Sequence, residues 1–128
     1  MKRILITGAG APGGPGIIKA LRTTTEVHVL AADADENACG RFLVNSFEKI
    51  PHANDAGFIP EVLRICEKHA IDVIFPLVTK ELFHLARHKK AFAAKGIRII
   101  VSDDEMLQLA NNKRMLYEHL QRQQIITP

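Results

Sequence analysis

The sequence predicts an α/β fold, a doubly wound parallel sheet of about five strands with helices on both faces. Three observations lead there. Short β-like apolar runs alternate with longer segments of helical periodicity in the order β-α-β-β-α-β-α-β-α-α. Runs such as Val73-Ile74-Phe75 and Ile97 to Val101 are apolar at successive positions, as strands covered on both faces must be. Between the first apolar run and the first helix lies the loop Gly8-Ala9-Gly10-Ala11-Pro12-Gly13-Gly14-Pro15-Gly16, a strand, loop and helix start of the kind that gathers backbone amides around an anion.

The first strand is Ile4 to Thr7, and Ile17, Ile18, Ala20 and Leu21 form the face of the helix that follows, ending before Thr23-Thr24-Thr25. A second strand covers Val27 to Ala32. After an irregular segment, Asp33 to Val44, a brief extended stretch occupies Phe47 to Pro51, and Asn54-Asp55 prepare a helix. That helix, about Ala56 to His69, places Ile59, Val62, Leu63, Ile65 and Cys66 on one side; Pro60 is tolerated because it falls in the first turn. The strand Val73 to Phe75 is stopped by Pro76. A helix from about Lys80 to Lys95 turns Leu82, Leu85, Ala86, Phe92 and Ala93 inward and stops at Gly96, before the strand Ile97 to Val101. Ser102-Asp103-Asp104-Glu105 reads as a capping box heading a short helix to about Ala110. Asn111-Asn112 then recaps a last helix, Lys113 to about Gln123, expected to carry Met115, Leu116 and Leu120 inward.

With 128 residues, 47% of them hydrophobic and 24% charged, the chain suffices for one core and is too short for two. No apolar stretch approaches the ~18 to 20 residues that span a bilayer, and Met1-Lys2-Arg3 leads straight into a core strand, so a soluble, cytoplasmic protein without a membrane partner is expected. Cys39 and Cys66 lack the density of a disulfide framework and are expected as free thiols, Cys66 packing in the core. A formal charge of +3, with no aromatic interleaving around Arg87, Lys89, Lys90, Lys95 and Arg98, gives no nucleic-acid signature.

In a doubly wound sheet the ligand crevice opens beyond the C-terminal strand ends where the winding reverses. Here that lies between the first and fourth strands, so the Gly8 to Gly16 loop should face the loop Pro76 to Glu81. Gly8-x-Gly10-x-x-Gly13 fits the dinucleotide fingerprint, and Asp33, twenty residues after Gly13, stands where an acid would hold a ribose. An NAD(P)-binding module is therefore one reading; the other is that the glycines let the loop pass close to neighbouring backbone. Asp33, Asp35 and Glu36 form an acidic turn. Glu81, His84 and His88 share a helix face, but the core stripe puts His84 and His88 on the outer side, so no metal site is assigned. Glu81, at the helix start, either complements the helix dipole or reaches into the crevice. The remaining histidines show no nucleophile-activating pattern, and no residue is given a catalytic role.

Taken together, Ile4-Leu5-Ile6-Thr7-Gly8-Ala9-Gly10, the acidic end of the second strand, Ala70 to Pro76 followed by Glu81-Leu82, the Gly96-Ile97 strand, and Asn112-Lys113 with a closing Ile-x-x-Pro resemble the N-terminal pre-ATP-grasp domain of ATP-grasp enzymes. The nearest group is the carbamoyl-phosphate-synthase-like carboxylate-amine ligases. The resemblance implies a Rossmann-like domain over residues 1–110, with residues 111–128 as a terminal helix and connector toward an ATP-grasp domain of the same polypeptide. It implies ATP and Mg²⁺ as cofactors of the full-length enzyme, neither held tightly by this chain alone, and a small-molecule carboxylate or bicarbonate and an amine as substrates. The family's ATP-holding lysine falls on Lys113, preceded here by Asn112 where the family has Asp, and Gly8, Gly10, Gly13, Gly14, Asp33 and Glu81 match positions lining the cleft. The chain on its own is expected not to turn over ATP, and an exposed docking surface could pair two copies into a homodimer.

Overall fold

The computed structural model describes residues 1–126, so Thr127 and Pro128 of the closing Ile-x-x-Pro lie outside the described residues. Five parallel strands, β1 (Lys2–Thr7), β2 (Val27–Asp33), β3 (Phe47–Lys49), β4 (Val73–Pro76) and β5 (Arg98–Ile99), stand in the order β3-β2-β1-β4-β5. Helices α1 (Gly14–Leu21), α2 (Phe58–Lys68) and α3 (Thr79–Ala93) make crossovers, a short 3₁₀ helix (Cys39–Leu43) precedes β3, and α4 (Asp104–Asn111) and α5 (Lys113–Arg122) close the chain. The expected doubly wound α/β fold is thus found.

The two-residue period of the strands sorts the core. Leu5 of β1 is in register with Leu30 of β2 and Ile74 of β4, and all three join Phe58, Val62 and Ile65 of α2 and Leu85 and Phe92 of α3 on one face. Ile6, with Val29 and Ala31, faces the other way onto Ile18 of α1, and Leu43 of the 3₁₀ helix packs against the same cluster. Cys66 packs in the first of these clusters, where burial pushes its thiol up to about 12, while Cys39 is exposed. Winding reverses at β1, whose C-terminal end is Thr7, opposite Ala32 on one side and Pro76 on the other.

Several local expectations are corrected. β5 is limited to Arg98–Ile99 because its one neighbour, β4, is short; Ile100 N still donates to Ile74 O at 2.9 Å. The Ser102–Glu105 capping box does not form. Asp103 and not Ser102 stands at the N-cap of α4, and the neighbouring carboxylates are engaged with α3, Asp103 Oδ1 3.0 Å from Lys89 Nζ and Asp104 Oδ1 3.4 Å from Arg87 Nε. Asn112 does cap α5, its Oδ1 accepting from Met115 N at 3.1 Å. Yet α5 packs on α4 and buries no residue: Met115 is 48% exposed and Leu116 and Leu120 are half-buried. His84 is not on an outer face but half-buried, its ring edge-on to Phe58 at 6.3 Å between centroids. Gly96 stops α3 in the left-handed region, φ +77°, as expected of a helix-ending glycine.

Candidate functional site

Because β1 and β4 are neighbours, the loops that leave them meet. Gly8, at φ +72°, passes so close to Val78 that a side chain on it would collide with the Val78 Cγ2 methyl. One residue earlier, the buried Thr7 hydroxyl donates to Glu81 Oε2 at 2.6 Å. Glu81 lies in the first turn of α3, yet its carboxyl turns to β1, leaving Glu81 N to donate to Val78 O. At the end of β2, Asp33 is tied to the glycine loop: Gly10 N donates to its Oδ2 at 2.7 Å and Asp35 N to its Oδ1 at 2.9 Å.

Between these groups lies a cavity of about 310 Å³, bounded by Asp33 and Asp35, by His52 and Asn54 beyond β3, and by Val78, Lys80 and Glu81. A larger groove of about 610 Å³ runs beside β5, but backbone and aliphatic groups dominate it and it stands away from the winding reversal. The smaller cavity is the candidate site, because convergent polar groups at the C-terminal strand ends are what fix a ligand. Glu81 is its distinctive member, only 5% exposed. Burial pushes its carboxyl up to about 7; the Thr7 hydroxyl opposes the rise and the Asp33 charge adds to it.

Of the residues expected to line the cleft, Asp33 and Glu81 border this cavity, while Gly8 and Gly10 stand behind it, Gly8 against Val78 and Gly10 bonded to Asp33. Gly14 is buried beneath the loop, where a Cβ would lie 2.5 Å from Ala9 O, and Gly13 meets nothing nearer than Ile17 Cδ1 at 4.0 Å. Lys113 is exposed at the first position of α5, outside the cavity lining. Thr7, His52 and Asn54 were not singled out from sequence. The available signals were a hydroxyl residue closing the aliphatic run Ile4-Leu5-Ile6, and a third strand whose C-terminal end opens onto the same edge of the sheet.

The glycine loop turns much of its hydrogen bonding inward. Ala9 N donates to Ala32 O, Ala11 N to Gly8 O and Gly14 N to Ala11 O, at 3.1, 2.9 and 2.8 Å. Gly10 N is taken by Asp33, and Pro12 and Pro15 carry no N–H. A pyrophosphate cradle needs those amides free, so the geometry does not favour the NAD(P) alternative. It also makes Asp33 an organiser of the loop. Asp33→Ala should cost about 2 kcal/mol and speed amide exchange at Gly10 and Asp35, whereas unchanged exchange at both would show that the bonds contribute nothing.

A parallel sheet in this order, with a buried acid at the β1/β4 reversal, defines a Rossmann-like domain built to present a crevice at one edge. The sequence matches the PylC-like, N-terminal domain family over residues 4–100, and the chain belongs to that family. No curated protein matches the sequence. Among solved structures, N5-carboxyaminoimidazole ribonucleotide synthetase from Thermotoga maritima superposes with a TM-score of 0.72 at 16% identity, over 100% of this chain and 32% of that one. N5-carboxyaminoimidazole synthetase from Staphylococcus aureus, solved with ADP, gives 0.64 at 20% identity, covering 94% of this chain and 30% of that one. The biotin carboxylase domain of a single-chain bacterial carboxylase gives 0.66 at 20%, covering 95% and 29%. This chain thus spans about a third or less of the solved chains it resembles, and at these identities the likeness is one of fold. Family membership and fold together bear out the resemblance to N-terminal pre-ATP-grasp domains.

Proposed function

We propose that the chain is the N-terminal domain of an ATP-dependent ligase of the ATP-grasp type, which activates a carboxylate or bicarbonate as an acyl phosphate for attack by an amine. The observation that carries this reading is the family match over residues 4–100. The crevice beside Glu81 supplies a place for the substrate, with Asp33 holding the glycine loop against it. Residues 1–110 form the Rossmann-like body in this reading, and residues 111–128 lead toward the ATP-grasp domain.

ATP supplies the phosphoryl group that makes the carboxylate reactive. Lys113 fits the task of holding a phosphate: it is exposed, it opens a helix, and it is paired with no acid among the described residues. Mg²⁺, which one or two carboxylates and the phosphates of the nucleotide suffice to hold, is assigned in this reading to the ATP-grasp domain. No described helix is long and apolar enough to cross a membrane, which accords with a cytoplasmic ligase.

The test is phosphate release from ATP by the longer polypeptide, screened against panels of carboxylates and amines. Release that requires one member of each panel is the expected result. Residues 1–128 alone should release none above background, and Lys113→Ala in the longer protein should raise the KM for ATP roughly tenfold. Turnover by the isolated chain, or tight binding of NAD(P) to it, would overturn the reading.

A further inference from the structure

We propose that Thr7 is a positioning residue for the crevice: its hydroxyl holds one oxygen of the Glu81 carboxyl behind the site, so that the other is presented to the ligand. This rests on the reading of the crevice as a substrate site.

Thr7 is fully buried at the end of a strand whose preceding residues, Ile4, Leu5 and Ile6, are aliphatic. Packing alone would be served as well by valine, which has the same shape and no hydroxyl to desolvate. The backbone carbonyl of Thr7 is already used, accepting from Leu77 N at 3.1 Å. The hydroxyl is then left for the side chain of Glu81, 74 residues away in sequence and 2.6 Å away in space. A glutamate has three side-chain torsions, and ordering them without a partner is costly. The Thr7 bond supplies that partner on Oε2. Among the described residues Oε1 has no hydrogen-bond partner, and Glu81 lines the cavity.

The bond also joins the two sides of the winding reversal. β1 delivers the donor and α3 the acceptor, so the acid is fixed from the sheet as well as through the loop between Pro76 and Thr79. The charged and titratable groups facing Glu81 across the cavity are Asp33 and Asp35 from the β2 end, His52 from beyond β3, and Lys80 beside it on α3. None of them replaces Thr7 as a hydrogen-bond donor to Oε2.

The test is a carboxyl-carbon NMR titration of Glu81 in the 128-residue chain, comparing wild type with Thr7→Val and Thr7→Ser. Removing the donor should move the Glu81 midpoint upward from about 7 by roughly one pH unit, and Thr7→Ser should restore it. A role in packing alone would leave the midpoint where it is in Thr7→Val, and that outcome overturns the proposal. In the longer polypeptide, Thr7→Val should displace the pH profile of kcat/KM in the same direction as the titration, and an unmoved profile also counts against it. The substrate-site reading fails separately: it is Glu81→Gln, with kcat/KM unchanged, that would remove it, whatever Thr7→Val does to the titration.

Discussion

Glu81→Gln should be more stable than the wild-type chain at pH 8 by about 3 kcal/mol, and nearly equal to it at pH 4.5. The sign follows from the direction of the shift. Burial raises the Glu81 carboxyl from 4.5 to about 7, so between those values the folded chain holds a proton that the unfolded chain has released. The contribution of protonated Glu81 is complete below the unfolded value, declines as pH rises through the window, and is lost above the folded value. A shift of that size corresponds to roughly 3 kcal/mol. Glutamine keeps a neutral head of the same shape and has no proton to lose. Three other carboxylates work in the opposite sense: Glu48 beside Lys68 and His69, Glu61 beside Arg64, and Asp72 accepting from Arg3 N are all held below their ordinary range. Their contributions are present above the unfolded values and lost as acid protonates them. Wild type should therefore be most stable near pH 5 and weaken toward neutrality, while the glutamine variant stays level to pH 8. Urea midpoints across that range are the measurement, and parallel curves for the two proteins would show that Glu81 titrates normally. Buried acids with raised pKa values cluster at functional sites, and this one borders the crevice proposed for the substrate.

How much of this could be read beforehand varies from residue to residue for physical reasons. The pairing of the glycine loop with the segment after β4 was legible because it follows from topology: in any sheet wound this way, β1 and the strand across the reversal send their loops to the same edge. Core faces were legible where periodicity met burial, as at Val62, Ile65 and Cys66 on α2. What failed were choices between competing local partners. The capping box was read with Ser102 and Glu105 as its pair, but the helix begins one residue later, with Asp103 at its N-cap and the Asp103 and Asp104 carboxylates beside Lys89 and Arg87 on α3, and no local pattern records a partner fourteen or seventeen residues back. His84 sat outside the aliphatic stripe, yet Phe58 from another helix reaches it. Met115 had the right period for burial, but period gives direction and not a neighbour; α5 packs on α4 and leaves Met115 exposed. Thr7 was read as a strand end because nothing in its surroundings in sequence announces Glu81.

Gly14→Ala and Gly16→Ala, two residues apart in the same helix, should change stability in opposite directions. A Cβ on Gly14 would lie 2.5 Å from Ala9 O and 2.9 Å from Ala9 C, both backbone atoms of a loop held by the bonds from Ala9 N, Gly10 N, Ala11 N and Gly14 N. Neither atom can rotate aside as a side-chain end could, so α1 must lift from the loop, and a loss of about 3 kcal/mol is expected. A Cβ on Gly16 meets nothing within 4 Å, and this exposed position near the start of α1 should gain roughly 0.5 to 1 kcal/mol from alanine's smaller entropy loss in a helix. Thermal or urea unfolding of the two variants measures the contrast directly. A glycine that lets a helix close on the preceding loop is needed with nothing bound, in a dinucleotide-binding loop as in any other, so the loss at Gly14 reports packing. A loop shaped to let α1 close on β1 requires Gly14 with nothing bound, and it leaves Gly16 dispensable. If Gly14→Ala unfolds at the wild-type midpoint, the packing account of this loop is wrong, and the inward-turned amides that weigh against the dinucleotide reading lose their structural purpose.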